Sequence, residues 1–133
     1  MKTLEIINPS TSEIITQLEV DSDERVESAL VKARENFDKG RWPRMSFAAR
    51  KDILLKISKG ILENAAELAK IESMNTGKPI KETTFMDIPS SAKAFEHAAL
   101  AMEEYLRSEN IEVENAKSTL VRQPQGVVLL IIC

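Results

Sequence analysis

The chain has 133 residues, 43% of them hydrophobic and 29% charged, with a net charge of −3 at neutral pH. That is enough chain for one domain with a core of its own, and the composition is that of a soluble globular protein. Several classes are excluded: a nucleic-acid role has no electrostatic footprint at this charge, and no apolar run approaches the roughly 20 residues of a membrane span. The single cysteine, Cys133, cannot form an internal disulfide and points to a reducing, cytoplasmic setting. The opening residues, MKTLEIINPS, lack the apolar core of a secretory signal.

Leu4 to Ile7 is a short β-prone run, closed by the turn signal Asn8-Pro9-Ser10. Ile14, Thr16, Leu18 and Val20 alternate in a second run, so the first 20 residues predict a hairpin or a pair of short strands. Asp21 or Ser22 caps the first helix, with Glu24 in a capping-box relation to Asp21. Val26, Ala29, Leu30, Ala33 and Phe37 form its apolar stripe, and Gly40 ends it. Arg41-Trp42-Pro43 is a connector in which Trp42 reads as a packing anchor. Ser46 caps the second helix, whose face is Ala49, Ile53, Ile57 and Ile61 with Leu54 beside them. Asn64 and Glu67 repeat the capping pattern, which predicts a bend near Asn64 between the second and third helices. Leu68, Ile71 and Met74 recur at helical spacing before Gly77, at a left-handed position, and Pro79 stop the third helix.

Pro79 opens a fourth helical stretch, where its missing N–H costs nothing. Pro89 lies inside that stretch. An interior proline loses a hydrogen bond and clashes with the preceding turn, at about 3 kcal/mol. The expectation is a kink or break at Ile88-Pro89, with Ser90 or Ser91 recapping, followed by the stripe Ala92, Phe95, Ala99, Met102 and Leu106. Beyond Arg107 the pattern turns to strands. Ile111 and Val113 alternate with Glu112 and Glu114, Asn115-Ala116-Lys117 is a turn candidate, and Ser118 to Gln123 is a second strand stopped by Pro124. Gly126 then leads into Val127 to Ile132, an unbroken apolar run that is mostly β-branched. Such a run reads as a strand buried on both faces, of the kind central to parallel sheets. No later element offers it a partner. It therefore predicts the first strand of a larger α/β domain, the alternative being an edge strand tucked into a mainly helical domain.

No GxGxxG, phosphate loop or metal-spaced cluster of His and Cys is present. A nucleophilic Cys133 would need a lowered pKa and an activating base, and the only histidine, His97, lies on a predicted helix with no positional link to it. No residue is therefore assigned as catalytic. Glu103, Glu104, Glu109, Glu112 and Glu114 make the C-terminal third acidic, which reads as a solvated face.

Five stretches carry a wider resemblance: NPSTSE at 8–13, GRWP at 40–43, AARKDILLKI at 48–57, NTGKP at 75–79 and RQPQGVV at 122–128. In that order and at about that spacing, the chain resembles the N-terminal portion of the NAD(P)-dependent aldehyde dehydrogenase family, nearest to betaine and aminoaldehyde dehydrogenase members. The resemblance implies a mainly α fold with small β elements, the truncated N-terminal part of the family's α/β fold. Short strands fall in 1–20, helices in 21–107, oligomerisation-type strands in 108–125, and the first strand of a nucleotide-binding sheet in 126–133. It further implies an intact enzyme that oxidises an aldehyde to a carboxylic acid through a cysteine thiohemiacetal, with hydride transfer to NAD or NADP. This chain, by the same resemblance, lacks the catalytic residues and binds no cofactor alone, since the family's cysteine falls well beyond Cys133. Ile132 and Cys133 align with positions whose backbone lines the coenzyme site. The carbonyls of Ile6 and Ile7, together with Asn75, align with ligands of a monovalent cation. The family carries Asp where Asn75 stands, and an amide brings an oxygen but no charge. Ser12 occupies a position where many members have Gly. Glu96-His97 stands where aminoaldehyde-type members have an aromatic pair at the substrate-tunnel mouth. The partners implied are a second copy or the remainder of the enzyme, reached through 109–132, with no nucleic acid and no membrane. A helical protein-interaction module and a nonfunctional remnant are the other readings of the same chain.

Overall fold

Two antiparallel hairpins bracket a run of helices in the computed structural model, which describes residues 2–131. Ile132 and Cys133, and the coenzyme contact expected of them, lie outside the described residues. Strands β1 (Thr3–Ile7) and β2 (Ile14–Glu19) pair from Thr3↔Glu19 to Ile7↔Ile14, with a register slip between Ile6 and Ile7. This is the expected hairpin. Helix α1 (Asp23–Asp38) is capped by Ser22, whose hydroxyl accepts the Arg25 N–H at 3.4 Å. Asp21 instead pairs with the Arg25 guanidinium at 2.8 Å. Ser46 caps α2 (Phe47–Glu63) in the same way, accepting from the Ala49 N–H at 3.2 Å.

Asn64 separates α2 from α3 (Ala65–Thr76) with a non-helical backbone, φ −107° and ψ 17°. Its expected role as an N-cap is corrected by its side chain. The amide nitrogen donates back to the Gly60 carbonyl at 2.8 Å, so Asn64 closes α2 and gives α3 no side-chain cap. Short polar side chains serve whichever orphan group is nearer, and here that is a C-terminal carbonyl.

The short helix α4 (Ile80–Glu82) follows Pro79 and leads into a π turn at Thr83–Asp87, then into α5 (Ile88–Leu106). Of the kink or break expected at Ile88-Pro89, the break and the serine recap do not occur, and the irregularity lies just before it, in the π turn. The Ile88 N–H reaches back five residues to the Thr83 carbonyl, and Asp87 and Ile88 keep helical dihedrals. A proline has no N–H to give and its ring crowds the carbonyl four residues back. A widened turn immediately before it takes up both defects without ending the helix. Ser91, expected as a cap, donates its hydroxyl to the Asp87 carbonyl at 2.9 Å.

Strands β3 (Glu109–Val113) and β4 (Ala116–Leu120) form the second hairpin. The turn falls one residue earlier than expected, at Glu114-Asn115, because Val113 pairs directly with Ala116. Asn115 takes φ +62°, a conformation its short polar side chain tolerates. Strand β4 accordingly begins at Ala116 and ends at Leu120, short of the expected Gln123. From Val121 to Ile131 the chain forms no strand. A strand needs a hydrogen-bonded neighbour, and none of the described residues supplies one to Val127–Ile131. Val128 is 77% exposed and Ile131 87%.

The core lies where α2, α3 and α5 meet, and it is small. Its buried apolar residues, among those described, are Ala69, Ile88, Ala92 and Ala99, joined by Ser58 and Thr83. Ala92 and Ala99 sit seven apart on the expected stripe of α5, whereas Phe95 and Leu106 remain partly open. On α2 the buried residue is Ser58, not its exposed neighbour Ile57. Small residues on facing helices let the axes approach closely. Enlarging one should separate them. Ala92, 1% exposed, has no room for three further carbons. Ala92→Leu is expected to lower stability by about 1–3 kcal/mol, read as a shift of the urea midpoint at constant m-value.

Candidate functional site

The two motifs that stand out in the sequence, NPSTSE and NTGKP, are brought against each other. At the end of α3, Gly77 adopts φ 75° and ψ 5°, and its N–H bonds the Ser73 carbonyl at 2.9 Å. That left-handed position already favours glycine. A second constraint comes from across the fold, because a Cβ on Gly77 would lie 2.8 Å from Pro9 Cγ and 3.2 Å from Ser10 Oγ. The Ser10 hydroxyl also donates to the Gly77 carbonyl at 3.4 Å.

Side chains on both sides of the junction satisfy the local backbone. Thr76 donates its hydroxyl to the Glu72 carbonyl at 2.7 Å and accepts the Lys78 N–H at 3.3 Å. Ser73 donates to the Lys78 carbonyl at 2.7 Å. In the β1–β2 loop, the Asn8 side-chain oxygen accepts the Ser10 N–H at 2.9 Å, and the Asn8 carbonyl accepts the Ser12 N–H at 2.8 Å. Ser12 then takes φ +62°. This explains why a glycine suits that position: only glycine reaches it without a steric penalty. Lys78 extends the junction to the π turn, its ammonium donating to the Asp87 carboxylate at 2.9 Å. That hydrogen bond, with the charge of Asp87, raises the Lys78 pKa above its usual value. A raised folded pKa means a contribution to stability present below the ordinary lysine pKa of 10.5 and lost as pH rises through the folded value.

The residues expected to hold a monovalent cation are distributed around this junction. Ile6 and Ile7 flank the register slip in β1, and the loop after Ile7 touches the residue two beyond Asn75. Asn75 donates its amide nitrogen to the Ile71 carbonyl at 3.1 Å, which leaves the amide oxygen as the ligand atom of its side chain. Among the described residues, no three of His, Cys, Asp and Glu gather as a metal site. Glu96 and His97 are exposed on α5. Gly40, Gly77 and Gly126 each face the chain's own side chains, those of Arg44, Pro9 and Phe37 respectively, and Gly60 lies within α2. None offers open backbone to a phosphate.

Concave surfaces lie elsewhere among the described residues, two of them beside Pro43 and Pro124. A groove of about 470 Å³ runs between Phe37, Trp42, Pro43, Pro124, Val127 and Val128. Trp42, expected as a packing anchor, forms one wall of this groove and is 44% exposed. A Cβ at Gly126 would lie 2.9 Å from the Phe37 ring, so the start of the apolar run does rest on α1. A second cavity, of about 280 Å³, holds Arg50 and Arg122. Sequence reasoning passed over Arg50. The available signal was its spacing of four and seven from Leu54 and Ile57, which puts a charge on the apolar face of α2.

The junction makes a sharp demand on position 77. Gly77→Ala is expected to lower stability by about 1–3 kcal/mol, the left-handed penalty adding to the clash with Pro9. Thermal unfolding followed by circular dichroism measures it, and a midpoint within a degree of wild type would contradict the argument.

With this geometry in hand, comparison with known proteins is informative. The aldehyde dehydrogenase family model matches residues 1–133. Aldehyde dehydrogenase 1 of Tanacetum cinerariifolium is 36% identical over 127 residues, covering 95% of this chain and 25% of that protein. Aminoacetaldehyde dehydrogenase of Pseudomonas aeruginosa is 33% identical over 131 residues, 98% of this chain and 26% of its own length. Among solved structures, an NAD+ complex of betaine aldehyde dehydrogenase from Staphylococcus aureus superposes with a TM-score of 0.82 at 27% identity, over 92% of this chain and 25% of the other. Apo indole-3-acetaldehyde dehydrogenase gives 0.77 at 28% identity, over 86% and 26% respectively. The chain therefore spans about a quarter of the length of the relatives it matches, and corresponds to their N-terminal part. The mainly helical fold with small antiparallel strand pairs is that of these neighbours. On its sequence along the full 133 residues, and on its fold, the chain belongs to the aldehyde dehydrogenase family.

Proposed function

We propose that this chain is the N-terminal structural portion of a cytoplasmic NAD(P)-dependent aldehyde dehydrogenase, an enzyme that oxidises an aldehyde to a carboxylic acid. The observation that carries the reading is the family match along the whole chain, set against relatives about four times its length. In this reading the chain supplies the helical scaffold and the hairpin surface. The nucleophile, the general base and the coenzyme sheet belong to the rest of the enzyme. NAD or NADP would contact this portion only through the backbone of Ile132 and Cys133. A monovalent cation would be held by the carbonyls of Ile6 and Ile7 with the Asn75 amide oxygen; the register slip at Ile6/Ile7 supports this, since a slip frees backbone groups from the ladder.

The chain by itself is expected to be catalytically silent. Purified protein should produce no aldehyde-dependent NADH or NADPH with short aliphatic or amino aldehydes, followed at the reduced-nicotinamide absorbance. A protein-dependent rate that vanishes in Cys133→Ala would overturn the assignment of catalysis to the rest of the enzyme.

A second reading, a helical module that docks a partner, is favoured by the exposed run Val127–Ile131. Both readings make 109–132 a joining surface, towards a second copy or towards the remainder of the enzyme. Leaving several large apolar side chains wet forfeits several kcal/mol at about 25 cal/mol per Å². The chain alone should therefore self-associate. Light scattering of the full chain is expected to show oligomers that disappear when the chain is cut after Gln125. A full chain that stays monomeric at high concentration, with solubility unchanged by the cut, would remove this surface from the proposal.

A further inference from the structure

We propose that the cavity holding Arg50 and Arg122 binds a small organic monocarboxylate with a compact apolar tail. The inference rests on this cavity, whose Arg122 and Pro124 walls lie within the 109–132 surface of the proposed function, so it concerns the chain before that surface is joined. The cavity, of about 280 Å³, is walled by Pro43, Phe47, Leu106 and Pro124 around the two arginines. Arg50 stacks its guanidinium over the Phe47 ring at 4.9 Å. Its Nε is buried without a hydrogen-bond partner, and Arg50 forms no ion pair among the described residues. Arginine does not deprotonate in proteins, so Arg50 brings a charge without an ion-pair partner to the cavity wall. Arg122 differs. Its Nη1 is held by the Glu109 carboxylate at 2.7 Å and by the Arg107 carbonyl at 2.9 Å, which fixes its position and neutralises much of its charge.

These features select the ligand. A guanidinium presents parallel N–H donors in a plane, the geometry a carboxylate accepts. The proline, phenylalanine and leucine walls reward an apolar group attached to that carboxylate. Inorganic phosphate carries a denser charge with a tighter hydration shell and gains nothing from those walls. With Glu109 already beside Arg122, a dianion also meets repulsion that a monoanion meets less.

The test titrates the full chain with sodium benzoate, and in parallel with inorganic phosphate at matched ionic strength. Binding is followed by NMR on the arginine Nε–H resonances. The expected result is a saturable shift of the Arg50 Nε–H with benzoate and none with phosphate. Arg50→Met, which keeps the stem and removes the donors, should weaken benzoate at least about tenfold, while Lys56→Met on the exposed side of α2 should leave it unchanged. If Arg50→Met does not fold by circular dichroism, the wild-type Nε–H titration decides alone. An Arg50 Nε–H that does not move with benzoate, an equal response to phosphate, or full benzoate affinity in folded Arg50→Met would each overturn the proposal.

Discussion

The close approach of α5 to its neighbours is what the rest of the structure depends on. Ala92 and Ala99 on α5, Ser58 on α2 and Ala69 on α3 are among the most buried positions described, and each is small. The helices are held by backbone proximity along a narrow seam, not by large interlocking side chains. Everything peripheral is organised from that seam. Helix α3 must end where α5 can return past it, so Gly77 and the π turn at Thr83–Asp87 lie between them. The β1–β2 loop then rests on that stop through Pro9 and Ser10.

The junction shows one physical demand met from two directions. A helix C-terminus leaves carbonyls without partners. Here the side chains of Ser73, Asn75 and Thr76 and the N–H of Gly77 engage the last turn, and Lys78 anchors the next segment to Asp87. The loop from Asn8 to Glu13 folds on itself by the same short-range polar chemistry, at the expense of a left-handed serine at position 12. The two turns are largely satisfied locally, and the Gly77 carbonyl takes its partner from across the junction, the Ser10 hydroxyl. A motif such as NTGKP is in this sense structural before it is chemical.

The small seam leaves much apolar surface uncovered. Val26, Leu30 and Val31 on α1, Leu100 and Tyr105 on α5, and Val128 to Ile131 are all exposed. Scattered apolar residues on a surface need no explanation, but a continuous run such as Val128–Ile131 does. Membership of a family whose matched relatives are about four times longer gives a common physical account of the small core and the uncovered faces. A piece of a larger α/β architecture presents surfaces that the architecture elsewhere covers.

Local signals were legible in the sequence because their causes are local. Ser22 and Ser46 as caps, Gly77 as a left-handed stop, the β1–β2 hairpin and the bend at Asn64 each follow from side-chain chemistry within a few residues. The ordered motifs from Asn8 to Val128 carried the family as well. What the tertiary structure alone decided involves choices between near-equal local options. Asn64 could serve the helix before it or the one after. Pro89 could end a helix or be carried behind a π turn, and the chain takes the second course. The β3–β4 turn could fall at either of two adjacent residues, with cross-strand pairing fixing the register. The meeting of Pro9 with Gly77, and of Arg50 with Arg122, joins residues more than sixty positions apart. Spacing along a chain carries no such distance information, so only the fold could bring those groups together.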